Sequence, residues 1–143
     1  MLNHTRPRQA GMTLVEVLVT IVVISFSLLA MAGLQLNSLG GSKEASLRTT
    51  ATVLGYDILD AMRANRAAAL SGSYDIDLGA ASPNGASIAE QDLKQWLTQA
   101  ASRLPSGGGS VSVDANRMVT VVIQWDDSRG VASPRQFRIT SML

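Results

Sequence analysis

From Val17 to Leu34 the chain is apolar at every position except Thr20, Ser25, Ser27 and Gly33. No Asp, Glu, Lys or Arg falls between Glu16 and Lys43, so positions 17 to 42, 26 in all, are uncharged. As an α-helix rising about 1.5 Å per residue, that stretch is about 39 Å long, enough to cross a hydrocarbon core of about 30 Å with some tilt. Beyond Ser46 the pattern changes. Leu47, Ala51, Leu54, Ile58 and Met62 recur at spacings of three and four, which predicts an amphipathic continuation of the helix. Asp57, Asp60, Arg63 and Arg66 fall on its other faces and read as a solvated surface with weak pairs, Asp60 and Arg63 at i,i+3 among them. Gly33 and Gly40-Gly41 are weak points, each costing up to about 1 kcal/mol relative to Ala, where a kink or a break is open.

The rest of the pattern predicts a small mixed head. Residues 71–87 are rich in turn formers, with Tyr74, Ile76 and Leu78 alternating against Asp75 and Asp77 as one short edge strand. The two aspartates read as a solvated loop rather than a cation site, because no ligand-bearing glycine loop accompanies them. Ser87 and Glu90 have capping-box spacing. The helix they open carries Leu93, Trp96, Leu97, Ala100 and Leu104 on one face, and Pro105 ends it. Trp96 on that stripe reads as a core anchor. Ser106-Gly107-Gly108-Gly109 reads as a flexible connector. Then come a strand with Val111 and Val113 and a strand Met118 to Trp125 with Val119, Val121, Ile123 and Trp125 on one face. A last strand around Gln136 to Ser141 puts Phe137 and Ile139 inward. Ala115-Asn116-Arg117 joins the first two strands as a hairpin turn, and Asp126 to Gly130 is a second turn. Asp126-Asp127 is turn chemistry rather than an acid–base or metal pair, since adjacent strand residues point opposite ways. The fold class is α+β: a long N-terminal helix, half membrane-spanning and half amphipathic, packed on a head with one further helix and a three-stranded antiparallel meander.

Charge and chemistry narrow the function. From Lys43 onward ten Lys and Arg face ten Asp and Glu, so the head is formally neutral and offers no basic stripe for nucleic acid. The chain has no cysteine, which excludes disulfides, thiolate catalysis and Cys-type zinc. Its single histidine, His4, precedes the apolar run, so histidine-dependent triads and His-ligated metals are not expected in the head. The expectation is a non-enzyme with no cofactor, no metal and no catalytic residue. His4, Arg6 and Arg8, with no acid among them, hold the start of the chain in the cytoplasm and send the head to the exported side. Two plain readings compete: a secretory signal peptide, for which Ala30-Met31-Ala32 offers an A-x-A cleavage site, and an ordinary single-span anchor.

Glu16 separates these. A carboxylate at the centre of a membrane helix costs on the order of 2.5–3.5 kcal/mol, and less near its end. Its i−4 neighbour is Met12. A cut after Gly11 would give Met12 a new α-amino group close to Glu16, and in a bundle of such helices the amine of one subunit could neutralise the carboxylate of another.

Gly11-Met12-Thr13-Leu14-Val15-Glu16 behind a short basic leader resembles the signal of type IV pilins and type II secretion pseudopilins. The family pattern is Gly, an aromatic, Thr, Leu, a branched aliphatic, Glu, then a long apolar run. Met12 stands where phenylalanine is commonest. The resemblance implies a class III leader peptide (1–11), a transmembrane and assembly half of the long helix (12–42), and a periplasmic head that includes the amphipathic half (43–143). It further implies that prepilin peptidase cuts between Gly11 and Met12 and methylates Met12, and that Glu16 is the assembly glutamate. Leu28 to Gln35 and Asp57 to Arg66 are similar to segments of one minor-pilin branch, with Ala61 in place of an arginine. The implied role is to prime or cap a type IV pilus. The implied partners are other minor and major pilins, prepilin peptidase, the inner-membrane assembly platform and a tip adhesin, with residence in the inner membrane before assembly. A type II secretion pseudopilin and a membrane-anchored binding domain that never polymerises are the alternatives.

Overall fold

The apolar and then amphipathic pattern forms one helix in the computed structural model, which describes residues 13–143. Helix α1 covers Leu14–Ala64, 51 residues, and runs through Gly33, Gly40 and Gly41 without a break. A Cβ at any of these three glycines would meet no atom within 4 Å, so no packing demand explains them. Their propensity cost is too small to interrupt a ladder that continues on both sides. The chain divides into two compact units after Ser42.

The Lys43–Leu143 unit is built on the amphipathic end of α1. Ala51, Leu54, Ile58 and Met62 are buried as their spacing predicts, and Gly55 and Leu59 join them. A short helix α2, Arg66–Leu70, and helix α3, Ile88–Arg103, follow. Strands β1 (Gly108–Val113), β2 (Met118–Trp125) and β3 (Arg135–Met142) make an antiparallel sheet in the order β1-β2-β3. Val111, Val119, Val121, Ile123 and Trp125 close the core on α1 with Leu93, Trp96 and Ala100 of α3. Phe137 and Ile139 of β3 are half-buried against it, and a Cβ on Gly55 would stand 3.4 Å from the Phe137 ring. The sheet therefore rests on α1, and the α+β architecture expected from the sequence is the one observed.

Three local readings change. Gly107 to Gly109 are not a connector: β1 already begins at Gly108, a Cβ on Gly109 would run into the Trp96 ring, and one on Gly107 into the Ala100 carbonyl. Gly107 and Gly109 are demanded by close approach to α3, whereas a Cβ on Gly108 would meet no atom within 4 Å. The edge strand around Tyr74 to Leu78 reduces to a single bridge, Ile76 to Val111. It cannot lengthen because Asp75 turns its carboxylate onto the Val113 amide at 3.0 Å and the chain turns back at Asp77, whose carbonyl accepts from the Ala80 amide. The first hairpin turn starts one residue earlier than expected, at Asp114, whose Oδ1 accepts from the amides of Asn116 and Met118, each at 2.8 Å, while Arg117 takes a φ of 64°.

Both ends of α3 behave as the sequence predicts. Ser87 and Glu90 form the full capping box. Leu104 is extended ahead of Pro105, as a residue before proline must be. Hydrogen bonds from the Ser87 side chain, and then from its backbone, hold the Glu90 carboxyl below its usual range. A depressed folded-state value means stability that is present above the unfolded pKa of about 4.3 and lost as pH falls through the folded value. Ser87→Ala is therefore expected to cost about 1 kcal/mol at neutral pH and to weaken the fall in stability on acidification. Urea unfolding at pH 7 and pH 3 measures both; an unchanged difference between the two pH values would refute the capping origin.

Candidate membrane anchor and assembly helix

The first described residue, Thr13, immediately precedes α1. Its carbonyl accepts from the amides of Glu16 and Val17 at 3.0 and 3.3 Å, and its hydroxyl accepts from the Glu16 amide at 3.4 Å. Thr13-Leu14-Val15-Glu16 has the Thr-x-x-Glu spacing of a capping box, of which the threonine half is formed. The spacing that identified Ser87 would have identified Thr13 as well. Glu16 thus lies in the first helical turn, exposed, where the amide end of the helix favours a carboxylate by about 0.3–1 kcal/mol. Among the described residues no ion pair involves Glu16, and the next cation along the chain is Lys43. Gly11 and Met12, the expected cleavage and methylation positions, lie outside the described residues.

Every large apolar side chain from Leu14 to Leu39 is exposed, including Val22, Phe26, Leu29 and Leu34. Such a continuous apolar surface far exceeds the few hundred Å² that a soluble monomer tolerates. The polar interruptions do not spoil it. Thr20 donates to the carbonyls of Glu16 and Val17, Ser25 to Ile21 at 2.7 Å and Ser27 to Val23 at 2.9 Å. Each hydroxyl is satisfied by the helix itself, which is what a lipid environment requires. Among the described residues α1 is the one helix long and apolar enough to cross a membrane.

Other acidic groups raised by the sequence are absorbed locally. Asp126 accepts from the amide and hydroxyl of Ser128 and from the Gly130 amide, bonds that hold its carboxyl below the usual range. Asp127 pairs with Arg135 at 3.3 Å, and Arg135 also reaches Glu44 at 2.6 Å. Asp60 pairs with Arg63 at 2.9 Å on the surface. These are turn and surface interactions worth little each. No group of three or more His, Cys, Asp or Glu among the described residues is placed to hold a metal.

A family model described as the prokaryotic N-terminal methylation motif matches residues 6–32. No curated protein and no solved structure matches the chain. The matched stretch takes in the basic peptide, the Gly11 to Glu16 hexapeptide and the apolar run. It is a prepilin-like signal of the type IV pilin kind, which implies processing by prepilin peptidase, anchoring in the inner membrane and assembly with other pilin-like subunits.

Proposed function

We propose that this chain is a minor pilin of a type IV pilus, most like the minor pilin PilV, that helps to prime or cap the filament together with other minor pilins. The observation that carries the reading is the methylation motif, which runs from the basic peptide into an exposed, self-satisfied apolar helix. The PilV likeness rests on Leu28 to Gln35 and Asp57 to Arg66. In this reading the precursor sits in the inner membrane with its leader cytoplasmic and its head periplasmic. Prepilin peptidase cuts between Gly11 and Met12 and methylates Met12. The assembly platform then moves the subunit into the filament, where Glu16 meets a cationic partner in the helix bundle. The major pilin and a tip adhesin complete the set of partners, and this role calls for no catalytic residue, metal or cofactor.

The mass of the mature chain tests this first. A mature form starting at Met12 with one added methyl group is expected. A start at Gly33, after Ala30-Met31-Ala32, would make it a secreted soluble protein and end the filament reading.

A further inference from the structure

Between the head portion of α1 and α3 lies an open cleft of about 220 Å³. Its apolar lining residues are Ile58, Ala61 and Trp96, of which Ile58 and Trp96 are almost wholly buried. Its walls carry two carboxylates on facing helices, Asp57 and Asp92, with the amides of Gln95 and Gln99 beside them. Asp92, Gln95, Trp96 and Gln99 fall at i, i+3, i+4 and i+7, so α3 turns one face to the cleft. That face is held in place. Trp96 Nε1 donates to the Leu54 carbonyl at 2.9 Å. The buried Tyr74 hydroxyl donates to Asp92 Oδ2 and accepts from Asn65, and burial together with Asp92 pushes the Tyr74 hydroxyl up to about 12. Unlike Asp60, neither Asp57 nor Asp92 has a cationic partner among the described residues.

We propose that this cleft receives an arginine side chain from a neighbouring subunit of the filament, an inference that rests on the pilin-like reading. The match is one of charge and shape. Two carboxylates without an internal counter-ion attract a single cation. A guanidinium offers several planar donors to carboxylate and amide oxygens. Other occupants fit worse. The volume falls below the roughly 300–1,000 Å³ of small-molecule pockets. A hard divalent cation wants six to eight oxygen ligands, whereas this cleft has two carboxylates and two amides, and no group of three or more His, Cys, Asp or Glu among the described residues is placed to hold one.

The test uses the full chain in its own cells, with Gln95, exposed at the rim, replaced by the photoreactive residue p-benzoylphenylalanine. Adducts are scored separately in the membrane and in sheared filaments. The expected adduct joins Gln95's position to an arginine-bearing peptide of a pilin-like subunit, and falls about tenfold when both carboxylates are neutralised as Asp57→Asn with Asp92→Asn. The Asp92→Asn change keeps a side-chain oxygen that accepts from Tyr74, and the single change Asp57→Asn, on the exposed face of α1, gives a smaller fall should the double variant not accumulate. No adduct, an adduct to a peptide without a basic residue, or one indifferent to neutralisation overturns the proposal. So does a rise in melting temperature with calcium that both substitutions abolish. A chain missing from sheared filaments defeats the filament reading instead, while the membrane fraction still reports on the cleft.

Discussion

Glu16→Ala is expected to leave the chain processed and membrane-inserted but to lower its recovery in sheared filaments by about 100-fold or more. The magnitude follows from what the substitution leaves behind. In the proposed bundle a Met12 amine of one subunit lies against the Glu16 carboxylate of another, in surroundings made by side chains such as Val17, Leu18 and Ile21. Removing one member of a buried ion pair costs about 3–5 kcal/mol, because the surviving charge stays desolvated and unpaired; at about 1.4 kcal/mol per factor of ten, the lower figure already exceeds 100-fold. In the single chain the same substitution is nearly free. Glu16 is exposed, in the first turn of α1, with no ion pair among the described residues, and loses only its modest attraction to the helix end. Immunoblots of membrane and sheared fractions separate the two effects. Equal recovery of the Ala variant would remove the charge pair from the assembly mechanism. Glu16→Gln, which keeps an acceptor without the charge, is expected to stand between the two.

The contrast between Glu16 and the head explains what was legible in the sequence. Elements set by local rules came through: the uncharged run, the stripe at Leu47 to Met62, the capping box at Ser87, the stop at Pro105 and the alternation in β2 each depend on neighbours a few residues away. The features that were misread depend on partners far along the chain. Gly107 and Gly109 look like a linker until α3 is laid against β1, when the Trp96 ring and the Ala100 carbonyl occupy the space a side chain would need. Ile76 alternates like a strand residue, yet its bridge to Val111 stops where Asp75 commits its carboxylate to the Val113 amide. Tyr74 and Asp92, 18 residues apart, show nothing of their hydrogen bond in either local pattern. The cleft between α1 and α3 was likewise invisible, because Asp57 read as one more solvated charge on α1 and nothing in the local pattern of α3 sets Asp92 beside it.

Trp96 shows how much stability such a non-local contact carries. It is 3% exposed, lies in the core cluster with Leu54, Ile58 and Leu93, and its indole N–H reaches the Leu54 carbonyl 42 positions away. Trp96→Ala opens a cavity and unties α3 from α1, at an expected cost of about 3–5 kcal/mol. For a head of this size that lowers the melting temperature by at least about 12 °C and removes much of a typical margin of about 5–15 kcal/mol. A second substitution isolates the ring's contact with the sheet. Gly109→Ala alone is expected to destabilise, since the new methyl collides with the Trp96 ring and overpacking costs about 1–3 kcal/mol. In the Trp96→Ala background the collision partner is gone, so the same change is expected to be nearly neutral or to fill part of the cavity. Thermal or urea unfolding of the four proteins gives the coupling directly, and an interaction of about 1 kcal/mol or more is expected for residues in contact. Strict additivity would mean that Gly109 is required for its backbone rather than for the space the indole takes up.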